Sequence, residues 1–513
     1  MEELAPEVQE RFDALLEQAR HGTIGQTTID RCAKRGDMGI AILFNYLYQD
    51  EIVHVTDLDK WFKWNGVYWE AIEYGDLIKA LQTVGMLLAA RIDDVVLAKE
   101  EDEKAKLKDA VKAKEYVITK LEAAWAKTQN ANGIKNSISV SDGTTEVPSL
   151  TVKSAVLDTD PYILCVKNGI VELKSGEMRP ARRDDHCTFC APVEWQGIDA
   201  PRPKWEATVK EILGGNEDAY HYFQRLLGMA VVGKVLEKNF LLMFGEEGDS
   251  GKTTIFEILF GVLGGYAAPM PVELLLDSGM PTNPNAPTPA IMDLRGKRIC
   301  WASEPADNRR FSVDRIKLMS GGDTLTARSP YGKENITFSP SHTLFMLSNN
   351  EPHASASDSA FWKRLRQIDC PFEFVDNPTK LNQKQVDRTL KDTILKEEAS
   401  GVLAWLVQGF IEYNSGGGSN PPECIMKATA EYRAREDKVL QFKNDCIEET
   451  PGSEITGQEL YDKFKKWHEK SYGKAPSITW FGKEAKRLFI IKRLHKVIYL
   501  DVAFNEFAEH LDD

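Results

Sequence analysis

Lys252 and Thr253 close the stretch NFLLMFGEEGDSGKTT (239–254), in which an apolar run gives way to a glycine-rich loop. A lysine ammonium behind closely spaced glycines can reach the β- and γ-phosphates of a nucleoside triphosphate. The adjacent threonine hydroxyl can hold Mg²⁺, and the glycines let backbone N–H groups close on the phosphates. The candidate nucleotide ligands are therefore Gly245, Gly248, Ser250, Gly251, Lys252, Thr253 and Thr254. The strict G-x4-G-K-S/T spacing is not met: Gly245 lies six residues before Gly251, and Glu246 stands where the first glycine is expected. Glu246, Glu247 and Asp249 would repel a triphosphate unless they point into solvent.

Such a loop needs a strand before it and a helix after it. Phe240 to Phe244 is an unbroken apolar run that reads as a buried strand, and TTIFEILFGVL has helical apolar spacing. Two further apolar runs end in polar residues. RICWA (298–302) leads into Ser303-Glu304-Pro305, where Glu304 can hold Mg²⁺ through water or polarise the attacking water. TLFML (343–347) leads into Ser348-Asn349-Asn350, where Asn349 can orient that water or touch the γ-phosphate. AFWKRLRQID then supplies Lys363, Arg364 and Arg366. A guanidinium offered to a neighbouring subunit's γ-phosphate stabilises transition-state charge; Arg364 is the first candidate for this finger and Arg366 the second. Between Glu304 and Asn349, TLTA (324–327) and NITF (335–338) alternate like two strands of a hairpin, with Arg328, Tyr331 and Lys333 near its turn. A cation and an aromatic at a hairpin tip can grip a phosphate backbone and stack on bases.

At roughly 150 residues per domain, 513 residues suggest three or four domains. No apolar run approaches the roughly 20 residues that span a bilayer. The acidic start MEELAPEVQERF lacks the basic-then-apolar pattern of a signal peptide. The expectation is a cytoplasmic protein without membrane contact. Of eight cysteines, only Cys187 and Cys190 are close, and no second pair completes a zinc site. Reduced thiols are the expectation. A net charge of −14 argues against a broad nucleic-acid-coating surface but leaves room for a narrow basic channel.

Along the chain, WFKWNGVYWEAI (61–72) reads as two short strands around Asn65-Gly66, with aromatics that suit a core better than a base platform. Residues 98–127 form a charged helical run, and 130–150 read as a polar loop. Short strands over 157–195 precede a helical stretch from Trp205 to Val235. After Phe374 the spacing is helical up to a break at SGGGSNPP (415–422). In the tail, Thr456 and Glu459 fit a capping box opening a helix through Trp467, and a second helix runs from about Trp480 to Leu488. IIKRLHKVIYL then reads as two strands around a turn. Lys483, Lys486, Arg487, Lys492, Arg493 and Lys496 make this region locally basic, consistent with duplex binding.

The segments FLLMFGEEGDSGKTT, DLRGKRICWASEP, IKLMSGGDTLTAR, HTLFMLSNNEP and AFWKRLRQID resemble, in order and spacing, the superfamily 3 helicase domain of phage and plasmid primase-helicases. That family includes the poxvirus primase-helicase. DPYILCVKNGIVELKSGEMRP and FQRLLGMAVVGKVLEKN are similar to the segment preceding that core. The resemblance implies an α/β fold: an AAA+ P-loop ATPase core with a helical N-terminal region and a C-terminal winged-helix domain. The expected divisions are a mainly helical domain at 1–154, a helicase-preceding domain at 155–235, the helicase core at 236–375, a helical lid at 376–420 and the winged helix at 421–513.

The resemblance further implies a hexameric ring that moves 3′ to 5′ on single-stranded and forked DNA, uses ATP and Mg²⁺, and works beside a separate primase or polymerase. Lys252 and Thr253 would bind nucleotide and metal, with Glu304 as the second acidic motif, Asn349 the sensor and Arg364 the finger. Arg328, Tyr331 and Lys333 would contact DNA in the pore. Ser303 occupies a position where many ATPases carry a second carboxylate, leaving Glu304 to serve both metal and water. Residues before 155 show no carboxylate triad or zinc cluster for priming. The alternatives are a DNA-binding replication initiator or scaffold whose nucleotide binding drives assembly, and an ATPase that remodels proteins.

Overall fold

A computed structural model describes residues 24–144, 147, 149–277, 288–303, 305, 309–328, 335–493, 495–509 and 511. The chain divides into two compact units, Met1–Thr159 with Pro180–Phe189, and Asp160–Arg179 with Cys190–Asp513.

In the first unit, the helices Asp37–Tyr48, Tyr74–Lys104, Lys108–Thr128 and Ala131–Ser141 enclose a core that includes Phe44, Leu81, Leu88 and Leu121. The charged run is two helices, not one. Lys106 takes a left-handed φ of 62°, and Lys114 reaches back to Asp102 at 2.6 Å, so the chain folds into a helical hairpin. The expected loop at 130–150 contains the helix Ala131–Ser141, capped by the Asn130 side chain, which accepts from Gly133 N–H. Its only buried large apolar residues, Ile134 and Ile138, sit one turn apart among Ser, Asn and Gly, which masks the helical period. The aromatic segment forms the strands Lys60–Trp64 and Trp69–Ile72 within a four-stranded sheet. Asn65 Oδ1 accepts from the N–H groups of Val67 and Tyr68 to close the turn. Trp69 is buried, and Trp61 stacks on His54 at 4.4 Å, so these rings serve packing.

The second unit is built on a five-stranded parallel sheet. Its spatial order is Leu365–Asp369, Phe240–Phe244, Thr343–Ser348, Ile299–Ser303, Ala267–Pro269. The apolar runs lack alternation because the central strands are covered on both faces. One covering element is the helix Lys252–Leu263, which buries Ile255, Phe256, Ile258 and Leu259. The stretch from Trp205 onward is two helices, Pro203–Ile212 and Glu217–Ala230. The second packs so closely on Ala399–Gly416 that a Cβ at Gly228 would fall 2.2 Å from the Phe410 nitrogen. Buried Arg298 ties the sheet to its surroundings, donating to the carbonyls of Val231 (2.6 Å) and Ile163 (2.7 Å).

After Phe374 the structure departs from the helical expectation. Glu373–Val375 and Gln383–Gln385 pair as parallel strands before the helix Leu390–Glu397 begins. The two strands read at 324–338 are present as the antiparallel pair Leu325–Ala327 and Ile336–Phe338.

The tail forms its own cluster around Phe442, Phe464, Phe481 and Tyr499. Helices Lys438–Cys446, Gly457–Tyr472 and Ile478–Ala485 pack with a three-stranded sheet ordered Ile447–Thr456, Val497–Phe504, Ile490–Arg493. Thr456 and Glu459 make both bonds of a capping box. Arg487 is engaged by buried Asp437 at 2.7 and 2.9 Å, and Lys492 lies 3.7 Å from Glu454. Lys483, Lys486 and Lys496 are exposed. No helix among the described residues is long and apolar enough to cross a membrane.

Candidate nucleotide site

The parallel register brings the carboxyl ends of three strands to one edge, with Phe244 level with Ser348 on one side and Asp369 on the other. The loop from Gly245 springs from that edge, and its first N–H donates to Ser348 O at 3.2 Å. Two glycines are fixed by geometry. A Cβ at Gly245 would lie 2.6 Å from Ser250 Oγ and 2.9 Å from both Cys370 O and Lys252 Nζ. Gly251 has φ 78°, and a Cβ there would meet Ile212 Cδ1 at 2.6 Å. Gly248 faces open space, so no neighbour demands glycine there. The lengthened loop is pinned at Asp249, whose carbonyl accepts from Phe374 N–H at 3.0 Å. Glu246, Glu247 and Asp249 are exposed, so their repulsion of an anion is screened by water.

Lys252 opens the helix behind the loop and is itself buried. Its ammonium donates to Ser250 Oγ at 2.5 Å and to Asn349 Oδ1 at 2.8 Å. A buried cation must be paired in this way. The helix N-terminus adds free N–H groups and a partial positive charge. Burial pushes the neighbouring Cys370 thiol up to about 12, so it stays neutral and adds no negative charge here. Thr253 is exposed on the first helical turn and Thr254 half-buried.

These groups line a cavity of about 440 Å³, a size that encloses a small ligand. Lys252, Ser250, Thr253, Ser303 and Asn349 give it a polar wall; Ile212, Phe374, Val375, Val386 and Leu390 give it an apolar one. A polyphosphate carrying a flat base fits such a division. Sequence reading missed the apolar wall and also Arg388, which lines the same cavity. They come from the end of the helix Pro203–Ile212 and from the segment around the Glu373–Val375 and Gln383–Gln385 strands. No local spacing links those segments to the loop.

Glu304 lies outside the described residues, as do Tyr331 and Lys333. The strand Ile299–Ser303 delivers the chain to the cavity, with Ser303 on its wall. Arg328 directly follows the first strand of the small antiparallel pair, and its N–H donates to Thr288 Oγ1 at 3.3 Å. Among the described residues no cluster of three His, Cys, Asp or Glu could hold a metal.

Arg364 is placed elsewhere. Its carbonyl accepts from Phe240 N–H at 2.9 Å, at the amino edge of the sheet. A five-residue strand at 3.3 Å per residue separates it from the loop by roughly 16 Å. Its Nη1 donates to Ala360 O at 2.9 Å, while its Nε is buried without a partner among the described residues. Arg366 Nη1 is satisfied by the carbonyls of Lys363 (2.9 Å) and Leu365 (2.7 Å).

Residues 41–214 match the family described as D5 N terminal like. Over those residues the chain is similar to that family. Individual relatives are viral. A putative helicase of Acanthamoeba polyphaga mimivirus is 27% identical over 339 residues, covering 63% of this chain and 34% of that protein. One of Frog virus 3 is 26% identical over 318 residues, covering 59% and 31%. One of Sputnik virophage is 24% identical over 275 residues, covering 52% and 35%. The chain therefore spans about a third of the length of the curated relatives it matches. Among solved structures, the A form of the apo NrS-1 C terminal region aligns with a TM-score of 0.45 and 12% identity, over 90% of this chain and 99% of that one.

Proposed function

We propose that this protein is an ATP-dependent DNA helicase acting in replication of a virus, phage or mobile element. The observation that carries the reading is the meeting of Lys252 with Asn349 at the carboxyl edge of a parallel sheet, beside a cavity of nucleotide size. Its strand order sets the loop strand between the last strand and the Asn349 strand, which supports an AAA+ P-loop core of the superfamily 3 type. The chain works as a ring, six subunits in the family reading, moving 3′ to 5′ on single-stranded DNA at a fork. The tail, whose helices pack with a three-stranded sheet, acts as a winged helix that touches duplex DNA through Lys483, Lys486 and Lys496. A primase or polymerase is supplied separately.

In the site, backbone N–H groups of the Gly245–Gly251 loop and Lys252 hold the β- and γ-phosphates. Thr253 and Glu304 hold Mg²⁺, which neutralises phosphate charge when bound. Glu304 also takes the proton from the attacking water, and Asn349 fixes that water in line. Arg364, some 16 Å from its own loop by strand rise, serves the next subunit. The small hairpin carrying Arg328, Tyr331 and Lys333 faces DNA in the pore.

Glu304→Gln is expected to bind ATP like the parent and to stop turnover, because the amide keeps the shape and loses the charge. DNA-stimulated phosphate release together with nucleotide affinity tests this; normal turnover would move the chemistry to another carboxylate. Lys333→Ala is expected to leave basal turnover intact while weakening single-strand binding. It should also flatten the salt dependence of that binding, by about one counterion for each phosphate the lysine no longer neutralises. Affinity measured across a salt series decides it. Superimposed lines for variant and parent would take Lys333 off the DNA path.

A further inference from the structure

Arg388 is the only basic side chain besides Lys252 among the described residues that line the nucleotide cavity. It lies between the strand Gln383–Gln385 and the helix Leu390–Glu397. Its backbone is held on both sides. Val386 N–H donates to Val375 O at 3.0 Å, and Leu390 N–H donates to Asp387 O at 3.3 Å. The side chain is not held so firmly. Arg388 Nη2 donates to Asp376 Oδ2 at 2.8 Å, with the two side chains 75% and 62% exposed. Ion pairs this exposed are screened and cheap to break. Asp387, the adjacent acid on the wall, already accepts from the N–H and hydroxyl of Thr389. Asp249, in the phosphate loop, adds to the negative field at the guanidinium.

We propose that Arg388 is a second phosphate ligand of its own subunit's nucleotide site, exchanging Asp376 for the β- and γ-phosphates when nucleotide binds. A guanidinium matches phosphate oxygens bidentately, and a triphosphate outbids one solvated carboxylate. This rests on the nucleotide-site reading above. Arg388 differs from Arg364 in acting within one chain, so its contribution to binding does not depend on assembly. Asp376 acts as the competitor that the nucleotide must displace.

The test is calorimetric titration of the full chain with a non-hydrolysable ATP analogue and Mg²⁺, with AMP as a control ligand. Arg388→Ala should weaken analogue binding by roughly five- to twentyfold, and Arg388→Lys by less. AMP binding should not change. Asp376→Asn should tighten analogue binding by about two- to fivefold, and that gain should vanish when Arg388→Ala is added. Unchanged affinity in Arg388→Ala, or a gain from Asp376→Asn that survives without Arg388, would overturn the proposal. Lys252→Ala in the same series separates the two readings. If it too binds like the parent, the nucleotide site itself is misplaced; if it alone weakens binding, only the role of Arg388 falls.

Discussion

Lys252→Ala is expected to abolish ATP turnover, with a fall of roughly 10³-fold or more, while leaving the fold in place. The ammonium is buried and fixed by Ser250 Oγ and Asn349 Oδ1, so it stands preorganised where phosphate charge would collect. A preorganised charge on a buried side chain stabilises a developing anion far more than a mobile surface lysine does. Folding does not need it. Removing it leaves Ser250 and Asn349 beside a cavity that water can enter, so neither acceptor is stranded. Circular dichroism and the melting temperature should match the parent while phosphate release falls to background. Turnover at the parent rate would remove this loop from the chemistry.

The second large effect is expected at Arg364, where substitution by alanine should cut turnover by roughly 10³-fold or more if the residue acts on a neighbouring subunit. The geometry separates that role from a local one. Arg364 lies at the amino edge of the sheet and the phosphate loop at the carboxyl edge, so it cannot serve its own site. Its Nε is buried, so an acceptor from outside would be met by the terminal guanidinium nitrogens, of which Nη1 bonds only Ala360 O, at the exposed surface. Mixing Arg364→Ala with Lys252→Ala subunits should restore part of the turnover, because some interfaces then pair an intact loop with an intact finger. Verified assemblies that show no rescue would make Arg364 a structural residue.

The parts of the site that the sequence displays are those in which one short segment carries both the scaffold and the chemistry. The run Phe240–Phe244 followed by Gly-Lys-Thr is a strand, a loop and a helix start in 14 residues. TLFML followed by Ser348-Asn349 shows the same economy, and the fold sets Asn349 against a lysine 97 positions away. The apolar wall could not be read this way. Ile212, Phe374 and Val386 belong to three separated segments and look like ordinary core residues until the sheet gathers them. Arg388 was hidden for the same reason, in a stretch read as helical that first makes a pair of short strands. The helix Ala131–Ser141 escaped because two isoleucines carry its buried face, and the strand Ile447–Thr456 because Pro451 and Gly452 interrupt a polar run. In the tail, Arg487 counted as one more basic residue; a buried Asp437 claims it for structure.

The central claim is that ATP hydrolysis in this chain is coupled to separating DNA strands. The most direct measurement is strand displacement on a forked duplex, with ATP and Mg²⁺, for the parent chain beside Lys252→Ala. The account predicts ATP-dependent release of the displaced strand by the parent, faster from a fork with a free 3′ tail on the tracking strand, and none from the variant. DNA-stimulated ATP turnover with no strand released from any fork would contradict it and make the protein an initiator or scaffold.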